Sequence, residues 1–469
     1  MDGDTRPARS GVLDFDPSLI ERYGGSGPRY TSYPTADRFH AGFTAVDYAR
    51  ELAKRNHRPA TEPLSLYVHL PFCSSLCFYC ACNKVITRNR GRSTKYVEYL
   101  GREIRLVRER IDLAPRAAQL HWGGGTPTFL PRDEMAELMR MLRAAFELEA
   151  DASISIEVDP RTADAGTIAF LGDLGFNRIS VGIQDFDPEV QRAVNRMQTE
   201  EETRRVIDAA RANGFRSVNA DLIYGLPRQT VRGFAQTLER VVDLAPGRIA
   251  LYSYAHVPHL FKPQRKIDVG ELPPPAEKLA ILTLAIERLA AAGYQYIGMD
   301  HFAKPDDELA RAQREGRLYR DFQGYSVSPG GDLVAFGTSA IGRIGDAYVQ
   351  NAKSIDDYYA KIDQGSLPTV RGIALTADDR LRRAVIQALM CNFTIDRAAF
   401  DAAWSIRFAD YFADELRELE PLAADGLVDI GADAITVTPR GRLLVRAVAM
   451  RFDRHWMQAQ QHATHSKII

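Results

Sequence analysis

From residue 64 the chain alternates strand-like and helix-like segments, and no other feature narrows its fold so far. LSLYVHL (64–70) is rich in apolar and aromatic residues and stops at Pro71, which reads as a buried strand. AQLHWGG, SISIEV, RISVGI, SVNADLIY and RIALYSY follow as further strands. Amphipathic segments separate them. In PRDEMAELMRMLRAAF, residues Met135, Leu138, Met139, Leu142 and Phe146 share one helical stripe, and Pro131 suits a first turn. EETRRVIDAARANG runs into Asn-Gly, a natural helix stop. Parallel strands need a crossover between them, so this alternation implies a parallel sheet covered by helices, an α/β chain. Six repeats rather than eight suggest a partial (β/α)6 barrel of the TIM type, although a doubly wound sheet carries the same local pattern.

Either side of this region the character changes. Residues 1–60 are rich in Gly, Pro, Arg and Tyr, with GGSGPRYTSYPTA at 24–36. That composition forbids a long helix and implies an extended N-terminal arm. The barrel and a following extension are expected over 61–372. Over 373–469, ALTADDRLRRAVIQALMCNF and FADYFADELRELEPLAADG read as helices, followed by a two-stranded turn around Gly-Ala-Asp and a further helix. Helices followed by a β-wing look like a winged-helix-type module, a shape that often binds DNA. The segment has no Arg/Lys stripe and the whole chain has a formal net charge of −1, so a structural cap is favoured over a nucleic-acid or membrane partner. No apolar run reaches the ~18 residues of a membrane helix. The polar start, MDGDTRPARSG, lacks the apolar core of a secretory signal. Free cysteines in such a chain fit a reducing cytoplasm.

Four of the five cysteines, Cys73, Cys77, Cys80 and Cys82, fall in CSSLCFYCAC. Thiolates crowded on one loop call for a metal, an iron–sulfur cluster or a disulfide. Zinc sites usually pair C-x2-C with a second Cys/His knuckle, and none is visible. Cys391 stands alone after an apolar run and is most simply a small buried hydrophobe. The spacing C-x3-C-x2-C without a fourth partner matches a [4Fe–4S] cluster with one iron left open for a small molecule. In β/α barrels the active site sits at the strand ends. Those ends carry Tyr67 and His69, then Gly123-Gly124-Gly125-Thr126, Glu157, Gln184, Asp221 and Ala255. Glycines let backbone groups approach a ligand, and Glu157 and Asp221 are acceptors for hydroxyl or amino groups. Tyr79 is an aromatic face for adenine, with core packing as the plain alternative.

Taken together, YVHLPFCSSLCFYCACNK, LHWGGGTPT, SIEVDP, GFNRISVGIQDF, DLIYGLP and GMDHFA resemble the oxygen-independent coproporphyrinogen III oxidases of the radical S-adenosylmethionine (SAM) superfamily. The resemblance runs from GPRYTSYPTA to the winged-helix-like segment. It implies a [4Fe–4S] cluster on Cys73, Cys77 and Cys80, and two SAM molecules. By motif position, Tyr67, Tyr79, Gly124, Glu157 and Ile341 would face the first SAM, and Gly125, Thr126, Gln184, Arg196, Asp221 and Ala255 the second. His69, Cys82, Phe322 and Gln323 match further positions that are candidates for a catalytic role. The implied reaction is an oxidoreductase step in haem biosynthesis. A SAM-derived 5′-deoxyadenosyl radical takes hydrogen from propionate side chains of coproporphyrinogen III, and loss of carbon dioxide leaves vinyl groups. The implied electron donor is a flavodoxin or ferredoxin, and the implied state a monomer. The related haem chaperones typically lack the fourth cysteine and the GPRYTSYPT arm; both are present here. Arg29, Lys84, Arg88, Arg90 and Arg92 are the cations near the relevant loops for a substrate bearing propionates.

Overall fold

Alternate apolar residues in each strand bury one face of a parallel sheet, and the computed structural model arranges those strands in sequence order. It describes residues 13–14, 16–57, 63–111, 115–327 and 331–459, so the polar opening of the chain lies outside the described residues. The strands are β1 (Leu64–Leu70), β2 (Arg116–Gly124), β3 (Glu147–Val158), β4 (Arg178–Gln184), β5 (Ser217–Tyr224) and β6 (Arg248–Ser253). Each pairs in parallel with the next. Helices α1 (Gly91–Arg108), α2 (Arg132–Ala145), α3 (Ala165–Asp173), α4 (Glu200–Ala212) and α5 (Val231–Asp243) form the crossovers. Because crossovers are right-handed, an order without reversal lays every helix on one side of the sheet. A doubly wound sheet needs a reversal, and β1 to β6 contain none. The fold is therefore the barrel-type α/β arrangement. It is left partial because the free edge of β1 takes β7 (Leu333–Phe336) in parallel, not β6. Antiparallel β8 (Ile341–Ile344), β9 (Ala347–Asn351) and β10 (Thr369–Ala374) extend that edge.

Strand periodicity divides the sheet into two chemically distinct faces. Leu64, Leu66, Val68, Leu120, Trp122, Ile156, Val181, Ile183, Ala220 and Leu222 are wholly buried on the face that meets the helices. Trp122, for example, lies edge-on to Phe176 at 5.0 Å. Each leucine, isoleucine or valine among them contributes roughly 1.5–3 kcal/mol of burial. The alternate positions, from Ser65, Tyr67 and His69 on β1 to Asn219 and Asp221 on β5, turn to the opposite face. Helix ends follow the sequence signals. Met135, Leu138, Met139 and Leu142 are the buried stripe of α2, with Pro131 as its cap. Before α4, Thr199 N–H donates to Glu202 Oε2 (2.8 Å) and Thr199 Oγ1 accepts from Glu202 N–H (3.1 Å); Gly214, at φ +77°, follows its end.

The described residues fall into two compact units, one within Pro34–Ile281 and Ser328–Arg380, the other within Met1–Tyr33, Leu282–Val327 and Leu381–Ile469. In the first unit the expected extended arm is interrupted by an eleven-residue helix, Ala45–Arg55. Its start is fixed by Asp47, which accepts from Thr44 N–H at 2.8 Å, and its Tyr48 and Leu52 are buried. This segment contains neither Gly nor Pro, so the composition of residues 24–36 does not extend to it. The second unit contains helices Arg397–Trp404 and Ala413–Ala424 and most of Ala377–Asn392. Its expected two-stranded wing, Val428–Ile430 with Ala434–Val437, gains a third antiparallel strand, Thr394–Asp396. Cys391 is fully buried there, as a small apolar side chain. The same unit holds two further hairpins, Gln295–Gly298 with His301–Ala303 and Tyr319–Asp321 with Gly324–Ser326. No helix among the described residues is long and apolar enough to cross a membrane.

Candidate active site

The polar face of the sheet carries a row of hydrogen-bonded groups. Tyr67 Oη lies 3.0 Å from His69 Nδ1, and His69 Nε2 lies 2.9 Å from the carbonyl of Asn83. A carbonyl only accepts, so Nε2 carries the proton and Nδ1 accepts from Tyr67. Burial lowers the histidine's pKa, in keeping with a neutral ring. Both nitrogens are thus satisfied, and His69 ties the end of β1 to the residue that follows Cys82. Tyr67 stacks on His121 (5.8 Å, 15° between planes), and His121 Nδ1 meets Ser155 Oγ at 2.7 Å. Glu157 accepts from Gly124 N–H at 3.0 Å and lies 3.4 Å from His121 Nε2. Burial opposes its charge, but His121 and the Gly124 N–H outweigh burial and hold its carboxyl below the usual range. Further along, Asp221 accepts from Ser180 Oγ (2.7 Å) and Asn219 Nδ2 (2.8 Å). Burial, and then the charge of Glu157, push its carboxyl up to about 6.

The glycines are dictated by this packing. Gly124 has φ +114°, and a Cβ there would stand 2.5 Å from the His69 ring. A Cβ on Gly125 would stand 2.7 Å from the Pro71 carbonyl. Side chains are excluded, and Gly125 N–H is left to bond Leu70 O at 2.8 Å.

The cysteine loop leaves β1 at Pro71 and is pinned on several sides. Phe78 N–H donates to Val194 O (2.9 Å), Asn195 Nδ2 to Leu76 O (2.7 Å), and Gln264 Nε2 to the carbonyls of Tyr79 and Ala255 (3.1 Å each). Lys84 Nζ donates to the carbonyls of Cys80 (3.0 Å) and Cys82 (3.2 Å). Thr126 Oγ1 donates to Cys73 Sγ at 3.4 Å. Cys77, buried, receives Arg161 Nη2 and Arg196 Nη1, each at 3.6 Å. Both guanidiniums also bond Asp159, at 2.6 Å and 3.1 Å, and Arg196 Nη2 donates to Gly182 O at 2.7 Å. Burial raises the Cys73 thiol to about 11, while contact with Cys82, aided by Lys84, draws Cys80 down to about 6. Among the described residues no three cysteine, histidine or carboxylate side chains converge to cage a single ion. A cubane cluster gives each thiolate its own iron, so its ligands need not meet at one point. Three cysteines on one loop, with two guanidiniums donating to the middle thiol, fit such a group.

The structure therefore brings the three cysteines together with Thr126 and Arg196, and Tyr67 and His69 with Gly124 and Glu157. Gln184, at φ +68°, ends β4; a Cβ on Gly182 would lie 2.9 Å from its amide nitrogen and from Arg196 Nη2. Half-buried Tyr79 packs against the apolar group of Val190, Val194, Leu226, Tyr254 and Ile267. Ala255 follows β6, and Ile341 opens β8, beyond β7 from β1. Phe322 and Gln323 form the turn of the Tyr319–Ser326 hairpin in the other unit. Cys82 is exposed. Arg88, Arg90 and Arg92 are exposed too, and Arg90 lies over the Phe129 ring at 4.4 Å. His121, Ser155, Ser180, Asn219, Asp159 and Arg161 were not singled out from the sequence as site residues. The period-2 alternation of SISIEV and SVNADLIY marks the strand-borne ones; nothing local marks Arg161.

Comparison with known proteins adds an independent line. Residues 67–241 match the radical SAM superfamily model, and residues 375–444 match the model described as the HemN C-terminal domain. The chain is 52% identical to the oxygen-independent coproporphyrinogen III oxidase of Pseudomonas aeruginosa, over 95% of this chain and 96% of that protein. It is 49% identical to the Escherichia coli protein of the same name, over 97% and 99%, and 42% identical to that of Synechocystis, over 98% and 99%. A solved structure of the Escherichia coli coproporphyrinogen III oxidase, described as a radical SAM enzyme, superposes with a TM-score of 0.90 at 48% identity, over 95% of this chain and 100% of that one.

Proposed function

The chain belongs to the oxygen-independent coproporphyrinogen III oxidases, which are radical SAM enzymes, and from that premise we propose how its own residues serve the reaction. The activity is the oxidative decarboxylation of two propionate side chains of coproporphyrinogen III to vinyl groups, giving protoporphyrinogen IX in haem biosynthesis, with a [4Fe–4S] cluster and two SAM molecules. When bound, the cluster supplies an electron and SAM the carbon-centred radical that takes hydrogen from the propionate β-carbon.

Cys73, Cys77 and Cys80 hold the cluster, and Cys82 stays off it. Arg161 and Arg196 offset the thiolate charge at Cys77, and Asp159 keeps both guanidiniums aimed there. Tyr67, Tyr79, Gly124, Glu157 and Ile341 face the first SAM; Gly125, Thr126, Gln184, Arg196, Asp221 and Ala255 face the second. Glu157, held ionised by His121 and Gly124, offers an acceptor to an ammonium or hydroxyl group. Asp221 is ionised above its pKa of about 6 and accepts from ribose hydroxyls. His69 acts by position, because both its nitrogens are occupied. Phe322 and Gln323 are kept as candidates for a catalytic role. The functional division is an arm (1–60), a barrel with its extension (61–372) and a C-terminal domain (373–469). The enzyme works as a cytoplasmic monomer that takes electrons from a flavodoxin or ferredoxin.

The observation that carries this assignment is the polar row of the sheet leading from Asp221 and Glu157 to the cysteine loop. The test is SAM stoichiometry on the reconstituted protein with its cluster oxidised, without reductant or substrate, by equilibrium dialysis. The wild type binds two, and Asp221→Asn binds about one. Two tight sites in that variant would remove Asp221 from the second site.

A further inference from the structure

The hairpin Tyr319–Ser326 carries a buried cation without a hydrogen-bonding partner. Arg320 is 4% exposed, and its Nε and Nη1 have no hydrogen-bond partner among the described residues. Its guanidinium lies over the Tyr325 ring, 4.8 Å from the centroid, which leaves its in-plane N–H groups unused. The hairpin is anchored by two hydrogen bonds: Gln387 Nε2 donates to Arg320 O (2.9 Å), and Tyr325 Oη to Met390 O (2.9 Å). Two more guanidiniums stand in the same neighbourhood. Arg446, 2% exposed, spends donors on the backbone carbonyls of Gly27 and Pro28, which neutralise no charge. Arg29 pairs with Asp300. Burial, then the charge of Arg29, lower the Arg446 pKa to about 10, with Arg320 acting in the same direction and Asp300 against it. Two further carboxylates lie nearby: Asp321 Oδ1 accepts from Gln323 N–H (2.8 Å), and Asp453 accepts from Tyr30 Oη (3.0 Å).

Arg320 thus lies in a neighbourhood that also holds Arg29 and Arg446, and its own Nε and Nη1 meet no hydrogen-bonding anion among the described residues. A buried guanidinium without an anion is unfavourable, whereas its planar donor edge fits a carboxylate in a bidentate fashion. We propose that Arg320, supported by Arg29 and Arg446, is a carboxylate-binding site that takes a propionate side chain of the tetrapyrrole substrate. The proposal rests on the substrate assigned above and adds the residue that recognises it.

The test is fluorescence titration of the full-length protein with coproporphyrin III, the stable oxidised form with the same carboxylates, alongside anaerobic turnover. The variants are Arg320→Gln and Arg320→Lys, checked by thermal melting. In Arg320→Gln, coproporphyrin affinity falls at least tenfold and KM for coproporphyrinogen rises in step. SAM cleavage by dithionite in the absence of substrate stays unchanged. Arg320→Lys, which keeps the charge without the fork, lies between. If the wild type binds coproporphyrin and both folded variants bind it equally well, Arg320 is a structural arginine on Tyr325 and the proposal fails. Should Arg320→Gln not fold, the Lys variant decides, because wild-type affinity there removes the bidentate site. If the wild type neither binds coproporphyrin nor converts coproporphyrinogen, the substrate assignment itself falls.

Discussion

At the residue scale, the account turns on which thiols bind iron and what holds them ready. Alanine at Cys73, Cys77 or Cys80 abolishes cluster assembly, read as iron content and visible charge-transfer absorbance after reconstitution. Cys82→Ser retains it; iron loss equal to that of Cys80→Ala would make Cys82 a ligand. Asp159 is the less obvious position. Its side chain is 9% exposed, and among the described residues it is the carboxylate that binds both guanidiniums reaching Cys77. Asp159→Asn leaves those charges buried and uncompensated, a loss of about 3–5 kcal/mol in denaturant unfolding of the apo protein. A change under ~1 kcal/mol would show that the pair is solvated. The cysteines were legible because their spacing is itself chemistry. The support around them was not, because Asp159, Arg161 and Arg196 meet Cys77 only after three separate strand ends are folded together.

At the element scale, the six β/α repeats were readable from apolar alternation, since a helix-covered parallel strand must be apolar on one face. What the pattern left open, barrel-type or doubly wound, was decided by strand order, which pairing alone reveals. Short elements escaped. Thr394–Asp396 is three residues long, and Ala45–Arg55 follows a stretch whose glycines and prolines suggest an arm. Two elements carry predictions. Gly124→Ala places a methyl group against the His69 ring at φ +114°, costing about 1–3 kcal/mol; an unchanged unfolding midpoint would mean that the turn can relax. Glu103, on α1, is 2% exposed and bonds Gly337 N–H (2.8 Å), Asn351 Nδ2 (2.7 Å) and Tyr358 Oη (2.6 Å), joining α1 to the β7–β9 extension. Burial raises its carboxyl to about 7, against the hydrogen bonds. A raised folded-state pKa favours folding most below the ordinary carboxyl range, and that contribution is lost as pH rises through about 7. Between pH 4.5 and pH 8 the wild type therefore loses up to about 3 kcal/mol relative to Glu103→Gln. A pH-independent difference in unfolding free energy would show that Glu103 titrates normally.

At the scale of the whole molecule, a chain with a net charge of −1 presents no global field, so recognition of an anionic tetrapyrrole must be local. Arg320 meets that need from within a hairpin whose sequence, LYRDFQGYS, gave no sign of it: a buried, unpaired guanidinium is a property of packing. The GPRYTSYPTA arm and the fourth cysteine, by contrast, were readable as marks that the resemblance sets against the haem chaperones of the superfamily. As a monomer the protein sediments at its chain mass of 52.3 kDa, and a mass twice that would overturn the proposed state. The central claim is that these residues assemble a SAM-dependent decarboxylase. It is tested most directly by anaerobic incubation of reconstituted protein with coproporphyrinogen III, SAM and a reductant, followed by product identification. The account predicts protoporphyrinogen IX together with 5′-deoxyadenosine, both absent in Cys77→Ala. Wild-type protein with an intact cluster that binds haem stably and forms neither product would contradict it.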